Sequence, residues 1–211
     1  WNAVVKSGGD KFLNAVVVMT ISMVMSAFAL LFTSQPAIES WPYLVLSSVL
    51  QAFYVALIAK AYGGGDMSVA YPLMRGTAPL LVSLVSLPLL GEALPLLRWA
   101  GVVLVSTGVL LMAFDSMRIA KAGGATMRTA LINACFIAAY TVTDGIGVRK
   151  SGAAIAYTLW IFVLHALPLL IWALFKAREK LFAQFRARWR AGLFGGFATV
   201  ASYGSSLWAM S

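Results

Sequence analysis

Seven long apolar runs, separated by short connections, occupy almost the whole of this 211-residue chain. Each is close to the roughly 20 mainly apolar residues that a helix needs to cross the hydrocarbon core of a bilayer. The runs cover residues 12–32, 41–61, 67–90, 95–114, 129–148, 155–175 and 191–211. Because 61% of the residues are hydrophobic and only 11% are charged, the classes of soluble globular and disordered proteins are excluded. The sequence predicts an all-α, polytopic transmembrane helix bundle.

The chain is basic, with a formal net charge of +9. Its lysines and arginines lie mainly between the apolar runs, which is typical of the loops of membrane proteins, so we expect no nucleic-acid partner. The chain contains one His, one Cys and seven scattered carboxylates. These are too few for a clustered catalytic or metal site. We therefore expect no catalytic residues, no metal and no cofactor.

Short motifs recur in the two halves of the chain. Lys6-Ser7-Gly8 returns as Lys150-Ser151-Gly152, and a similar offset brings Tyr54 onto Tyr203. The first residues read as the last turns of a helix, and the final run ends without a polar tail. We interpret the chain as a fragment of a duplicated bundle of five plus five helices, with the second repeat truncated. The predicted repeats are residues 1–116, with an incomplete first helix, and 117–211, without the last two helices.

The most specific pattern lies between residues 61 and 92. It reads Ala61-Tyr62-x-x-Gly65-Asp66-x-Ser68-x-x-Tyr71-Pro72-x-x-Arg75-Gly76-x-x-Pro79, followed by Gly91-Glu92. This resembles the EamA family of the drug/metabolite transporter superfamily. Trp1-Asn2 is similar to the end of the family's first helix, and Ala139-Tyr140-Thr141-x-x-Asp144-Gly145 to its second-half counterpart. The resemblance implies a transporter of the bacterial inner membrane, built from two inverted five-helix repeats with a substrate path between them.

Arg75 is a cation inside an apolar run that also contains Pro72 and Pro79. Each proline frees a backbone carbonyl and allows a kink, as in the interrupted helices of transporters. A guanidinium inside a span should face the bundle interior or a water-filled cavity. Arg75 therefore either attracts an anionic or zwitterionic substrate group, or pairs with freed carbonyls or a carboxylate, or reaches toward the connection at 63–66.

A polar stripe follows one face of the run 129–148, where Asn133, Tyr140 and Asp144 are spaced i, i+7 and i+11. Asp144 is a candidate protonatable carboxylate for proton coupling. The alternative is an interfacial carboxylate neutralised by Arg149 or capping a turn at Gly145.

Further polar and aromatic residues recur at helical spacing. They are Ser47, Gln51 and Tyr54 in one run, and Tyr157 and Trp160 in another. Such side chains line a pathway or simply join helices, and His165 is interpreted as a packing residue. The predicted substrate path comprises Arg75, Tyr71, Tyr140, Asp144, Asn2, Gln51, Tyr54 and Trp160.

The stretch 178–190 is the most strongly charged segment. Leu181, Phe182, Phe185 and Trp189 fall on one helical face and arginines and lysines on the rest, which predicts a basic loop or interfacial helix bound to anionic lipid. The Lys and Arg count puts the 176–190 loop in the cytoplasm. The family resemblance implies the opposite side, so the two expectations of orientation disagree.

The sequence thus predicts a transporter that moves a small metabolite or drug-like solute by alternating access between two helical repeats. A non-transporting membrane subunit and a membrane-embedded lipid-modifying enzyme are the alternatives. Neither substrate identity nor the choice between monomer and homodimer follows from the sequence.

Overall fold

The regular structure of the chain is helical throughout the part that the computed structural model describes, residues 10–64, 67–90, 95–120 and 124–211. The helices are α1 (Lys11–Leu30), α2 (Trp41–Gly64), α3 (Met67–Leu90), α4 (Leu96–Ala120), α5 (Gly124–Ser151) and α6 (Ala154–Trp208). A short 3-10 helix, Ile38–Ser40, precedes α2. All six α-helices are long and apolar enough to cross a membrane. The predicted all-α polytopic bundle is confirmed, while its inverted-repeat arrangement stays a prediction.

The last helix, α6, reverses direction at Ala177, whose φ of −146° and ψ of 33° are not helical. This residue divides α6 into a first arm, residues 154–176, and a second arm, residues 178–208. Thr158 on the first arm lies beside Gly204 on the second. The ring centroids of Phe162 and Tyr203 are 6.1 Å apart. The arms therefore run antiparallel, and each contains one of the last two predicted spans.

Every residue of the stretch 176–190 except Ala177 is helical, which agrees with the predicted basic helix, while its contact with the membrane interface stays a prediction. The stretch contains neither Gly nor Pro. Its Lys, Arg, Glu, Ala, Leu and Gln residues all favour helix. The basic segment is consequently the beginning of the second arm rather than a separate connection.

Contacts divide the chain into two compact units: the first unit is residues 1–52 with 143–211, and the second unit is residues 53–142. In the first unit, α1 packs against both arms of α6. The rings of Phe12 and Trp172 meet edge to face with centroids 4.9 Å apart. Asn14 Oδ1 accepts a hydrogen bond from Gln184 Nε2 on the second arm. Because both contacts lie near the start of α1, this helix runs antiparallel to the first arm and parallel to the second.

Glycines at residues 192 and 196 set the distance between α1 and the second arm of α6. A Cβ at Gly192 would overlap Ile21 Cδ1, and one at Gly196 would lie 3.1 Å from Ser22 Oγ. Small residues four apart on one helix face allow such close approach. The absence of a Cβ at both positions therefore lets α1 and the second arm pack closely.

In the second unit, α3 packs against α4, and a Cβ at Gly76 would lie 3.1 Å from Leu110 Cγ. Asn133 Nδ2 on α5 donates a hydrogen bond to Met74 Sδ on α3, with 2.9 Å between the atoms. α3 stays helical across Pro72 and Pro79. These contacts fix the face of α3 that carries Met74 against α5.

Candidate functional site

A buried carboxyl group lies at the centre of a hydrogen-bond cluster in the first unit. The side chain of Asp144 on α5 is fully buried. Its Oδ1 accepts from the Tyr157 hydroxyl at 3.2 Å, and its Oδ2 accepts from Gln51 Nε2 at 3.3 Å and from the Tyr203 hydroxyl. Ser47 is also a hydrogen-bond partner of the carboxyl group. We refer to these five residues as the Asp144 cluster.

The cluster draws on three helices near one end of the first unit. Ser47 and Gln51 lie one turn apart on α2, and Gln51 Nε2 also donates to Ser47 Oγ at 3.0 Å. Tyr157 comes from the start of α6 and Tyr203 from near its end, which the reversal at Ala177 brings together. The fold of α6 is therefore what delivers two tyrosine hydroxyls to one carboxyl group.

A glycine on α5 makes room for one of these tyrosines. A Cβ at Gly147 would lie 2.6 Å from Tyr157 Cζ and 2.7 Å from Tyr43 Cβ. Because Gly147 has no Cβ, the Tyr157 ring can lie directly against the α5 backbone. From that position the Tyr157 hydroxyl reaches Asp144, which lies one turn before Gly147 on α5.

The partners of Asp144 in the described part of the chain are all neutral hydroxyl or amide groups. Arg149, which lies closer to the end of α5, instead donates from Nε to the carbonyl oxygen of Met210 at 3.1 Å. Arg149 is not among the partners that these contacts give Asp144, and the roles considered for Asp144 stay predictions. Hydroxyl donors can satisfy an anionic carboxylate and can also accept a hydrogen bond from its protonated form.

A second polar cluster surrounds Arg75 in the second unit. Arg75 lies eight residues after the start of α3, which is about 12 Å along the helix. Its guanidinium lies over the Tyr71 ring, 5.7 Å from the centroid. Tyr54 and Tyr140 are its other electrostatic neighbours, and their own rings are 5.7 Å apart. We call these four residues the Arg75 cluster.

The described neighbours of Arg75 are relevant to the roles that the sequence left open, which stay predictions. Within residues 53–142, as far as the structure describes them, its interacting side chains are tyrosines, and no carboxylate is among them. The side chain is exposed. Tyrosine hydroxyls and a guanidinium together form a set of hydrogen-bond donors that suits an anionic group.

The predicted pathway residues thus divide between the two clusters, apart from Trp160 and Asn2. Arg75, Tyr71, Tyr54 and Tyr140 come together in the second unit, and Asp144 and Gln51 in the first. Trp160 is placed differently: its Nε1 donates to Gln35 Oε1 at 2.8 Å, and its ring lies 5.0 Å from that of Trp41. Asn2, like the Lys6-Ser7-Gly8 motif and the Gly91-Glu92 turn, lies outside the described residues.

The predicted pathway set missed three members of the Asp144 cluster, namely Ser47, Tyr157 and Tyr203. Ser47 stands one turn before Gln51, so the i, i+4 spacing was a usable signal. Tyr203 occupies the position in the second half that matches Tyr54 in the first, and each tyrosine lies in one of the two clusters. No local pattern marked Tyr157 as a partner of Asp144.

The buried histidine belongs to neither cluster. His165 Nδ1 donates to the carbonyl oxygen of Ile161 on its own helix, at 2.7 Å. Its ring packs against that of Phe162, with 5.5 Å between the centroids. Among the described residues, no group of three or more His, Cys, Asp or Glu side chains could hold a metal ion.

Several of the described helices are long and apolar enough to span a bilayer, and each unit contains one polar cluster, a combination typical of multi-pass membrane proteins that carry solutes. The model of the EamA-like transporter family matches residues 3–114, just over half of the chain. The chain therefore belongs to the EamA-like transporter family, whose members are membrane transporters. No curated protein and no solved structure matches it.

Proposed function

We propose that this protein moves a small solute with a carboxylate or similar anionic group across the bacterial inner membrane, by alternating access between two helical repeats. The observation that carries the proposal is the Arg75 cluster. A guanidinium within a candidate span, exposed and surrounded by three tyrosines, supports recognition of an anion. The tyrosine rings also favour an aromatic or apolar body on the same solute.

A matched ligand pair tests the charge recognition. Phenylalanine carries a carboxylate beside an aromatic ring, and phenylalaninamide lacks the carboxylate. Arg75→Gln should weaken binding of phenylalanine by about 10- to 100-fold, since a hydrogen bond to a charged group contributes about 1.5–3 kcal/mol. Binding of phenylalaninamide should hardly change.

Isothermal titration of the purified protein provides the measurement, and Arg98→Gln is the matched control. Arg98 is an exposed arginine near the start of α4. The Arg98→Gln protein should bind both ligands with the same affinity as the wild type. An Arg75→Gln protein that binds both ligands as the wild type does would refute the role of Arg75 in recognition.

We also propose that the segment 178–190 contacts anionic phospholipid. Phe182 and Trp189 are exposed on this segment, and arginine guanidinium groups lie over both rings. The Arg178 guanidinium is 5.9 Å from the Phe182 centroid, and that of Arg190 is 5.3 Å from the Trp189 centroid. Exposed aromatic rings next to arginines favour the headgroup region of an anionic bilayer.

A further inference from the structure

The Asp144 cluster has properties that the recognition of a solute does not require. Its carboxyl group is fully buried, whereas a carboxylate that binds a cationic solute group would need an open face. Its partners in the described residues are neutral side chains from α2 and from both arms of α6. A small ion that hydroxyl groups can accommodate, rather than an organic solute, fits this environment.

The chemistry of the partners suits a carboxyl group that gains and loses a proton. Tyrosine and serine hydroxyls each carry one donor and accepting lone pairs. Tyr157 and Tyr203 can donate to the ionised carboxylate, and the Ser47 hydroxyl can accept from the protonated form. The carboxyl group can therefore form hydrogen bonds within the cluster in both protonation states.

No fixed charge in contact with Asp144 opposes this exchange in the described part of the first unit. The titratable groups that face it are Tyr157 on the first arm of α6 and Tyr203 on the second, while α2 contributes the neutral Ser47 and Gln51. Its own helix carries Arg149 and Lys150 more than one turn further on, and both are exposed.

We propose that Asp144 is a proton-binding site that couples solute movement to a proton gradient. This inference rests on the proposed transport function. A proton from water adds to a carboxylate oxygen of Asp144 and later leaves to water, so no other reactant is needed. Hydrogen bonds to an ionised group are roughly twice as strong as those between neutral groups. Protonation therefore weakens the hydrogen bond between Asp144 on α5 and Tyr203 on the second arm of α6, so that proton binding can change how these two helices pack.

Infrared difference spectroscopy tests proton binding without any solute. On acidification, the wild-type protein should gain a C=O stretching band of a protonated buried carboxyl group, and Asp144→Asn should lack that band. Asp115→Asn is the matched control, because Asp115 is an exposed carboxylate on α4. The Asp115→Asn protein should retain the band. A band that survives in Asp144→Asn would overturn the proposal.

A second variant keeps the test interpretable if Asp144→Asn does not fold. Tyr203→Phe keeps the carboxyl group but removes one donor, so the pH midpoint of the band should shift. An unchanged midpoint would show that the cluster does not control the proton and would contradict the proposal.

Liposomes containing the protein test the coupling, with radiolabelled phenylalanine as the probe. A pH gradient should change accumulation by the wild type and by Asp115→Asn, and should have no effect on Asp144→Asn. A gradient effect that persists in Asp144→Asn would exclude coupling through this residue. Wild-type liposomes that move no probe would instead refute the proposed transport of this solute class, and the infrared result alone would then decide whether Asp144 binds a proton.

Discussion

Replacement of Gly147 by alanine tests the packing that brings Tyr157 to Asp144. The new Cβ would lie 2.6 Å from Tyr157 Cζ and 2.7 Å from Tyr43 Cβ. Carbon atoms make favourable contact at about 3.5–4.0 Å, so each pair must separate by roughly 1 Å. The Tyr43 Cβ is bonded to the α2 backbone and cannot rotate away. The Tyr157 ring must therefore shift, or α2 and α5 must move apart.

Three contributions set the size of the effect. Overpacking of this kind costs about 1–3 kcal/mol. Displacement of the Tyr157 hydroxyl from Asp144 loses a hydrogen bond to a charged group, worth about 1.5–3 kcal/mol. The better helix propensity of alanine offsets about 1 kcal/mol. We expect Gly147→Ala to lower the free energy of unfolding by about 1.5–5 kcal/mol, the range that these three contributions define together.

Gly145→Ala is the matched control on the same helix. Its Cβ would meet only Met210 Sδ, at an ordinary contact distance of 3.9 Å. This variant should be as stable as the wild type or more stable by up to about 1 kcal/mol, because only the propensity changes. Unfolding by sodium dodecyl sulfate in mixed micelles, followed by circular dichroism, provides the free energies.

A double-mutant cycle with Tyr157→Phe separates the clash from the lost hydrogen bond. In that background the hydroxyl is already absent, so Gly147→Ala should cost less than it does in the wild type. If Gly147→Ala were as stable as Gly145→Ala, the contacts between α2, α5 and the first arm of α6 could not be as close as described, and the reasoning would fail.

Two further predictions concern α6. Gly192→Val should disrupt the contact between α1 and the second arm and lower the free energy of unfolding by about 1–3 kcal/mol. Gly204→Ala is the control and should be tolerated, because its Cβ would lie 3.6 Å from the nearest side-chain atom. The same detergent titration measures both free energies. The double replacement Arg186→Gln and Arg190→Gln should reduce the amount of phosphatidylglycerol that copurifies with the protein, as measured by native mass spectrometry, and should leave phosphatidylcholine unchanged. Equal retention of both lipids by wild type and variant would argue against a headgroup contact at 178–190.

The positions of the membrane helices were predictable from the sequence because each needs only a long apolar run. The close packing at Gly192 was also predictable, because it depends only on small residues four positions apart on one helix. The position of the reversal, at Ala177, was not predictable, because alanine favours helix and its neighbours include neither Gly nor Pro. Residue spacing on one helix found Gln51 and Asp144 separately, whereas their pairing depends on how α2 packs against α5.

The same limit applies to the tyrosines. Arg75 was recognisable as an unusual cation within an apolar run, but its neighbours Tyr54 and Tyr140 lie on other helices and are set by tertiary packing. Tyr203 reaches Asp144 only because α6 folds back on itself. Sequence reasoning therefore located the charged centres of both clusters, and the structure supplied the groups around them.

The second arm of α6 is longer than the hydrocarbon core is thick. Residues 178–208 extend about 46 Å at 1.5 Å per residue, against a core of about 30 Å. The excess of roughly 16 Å is close to the length of the basic segment 178–190. This arm is helical without interruption from Arg178 to Tyr203. Because a continuous helix is stiff, a change in surface charge or bilayer thickness that moves the basic end of this arm would also move the Tyr203 hydroxyl, which donates a hydrogen bond to Asp144.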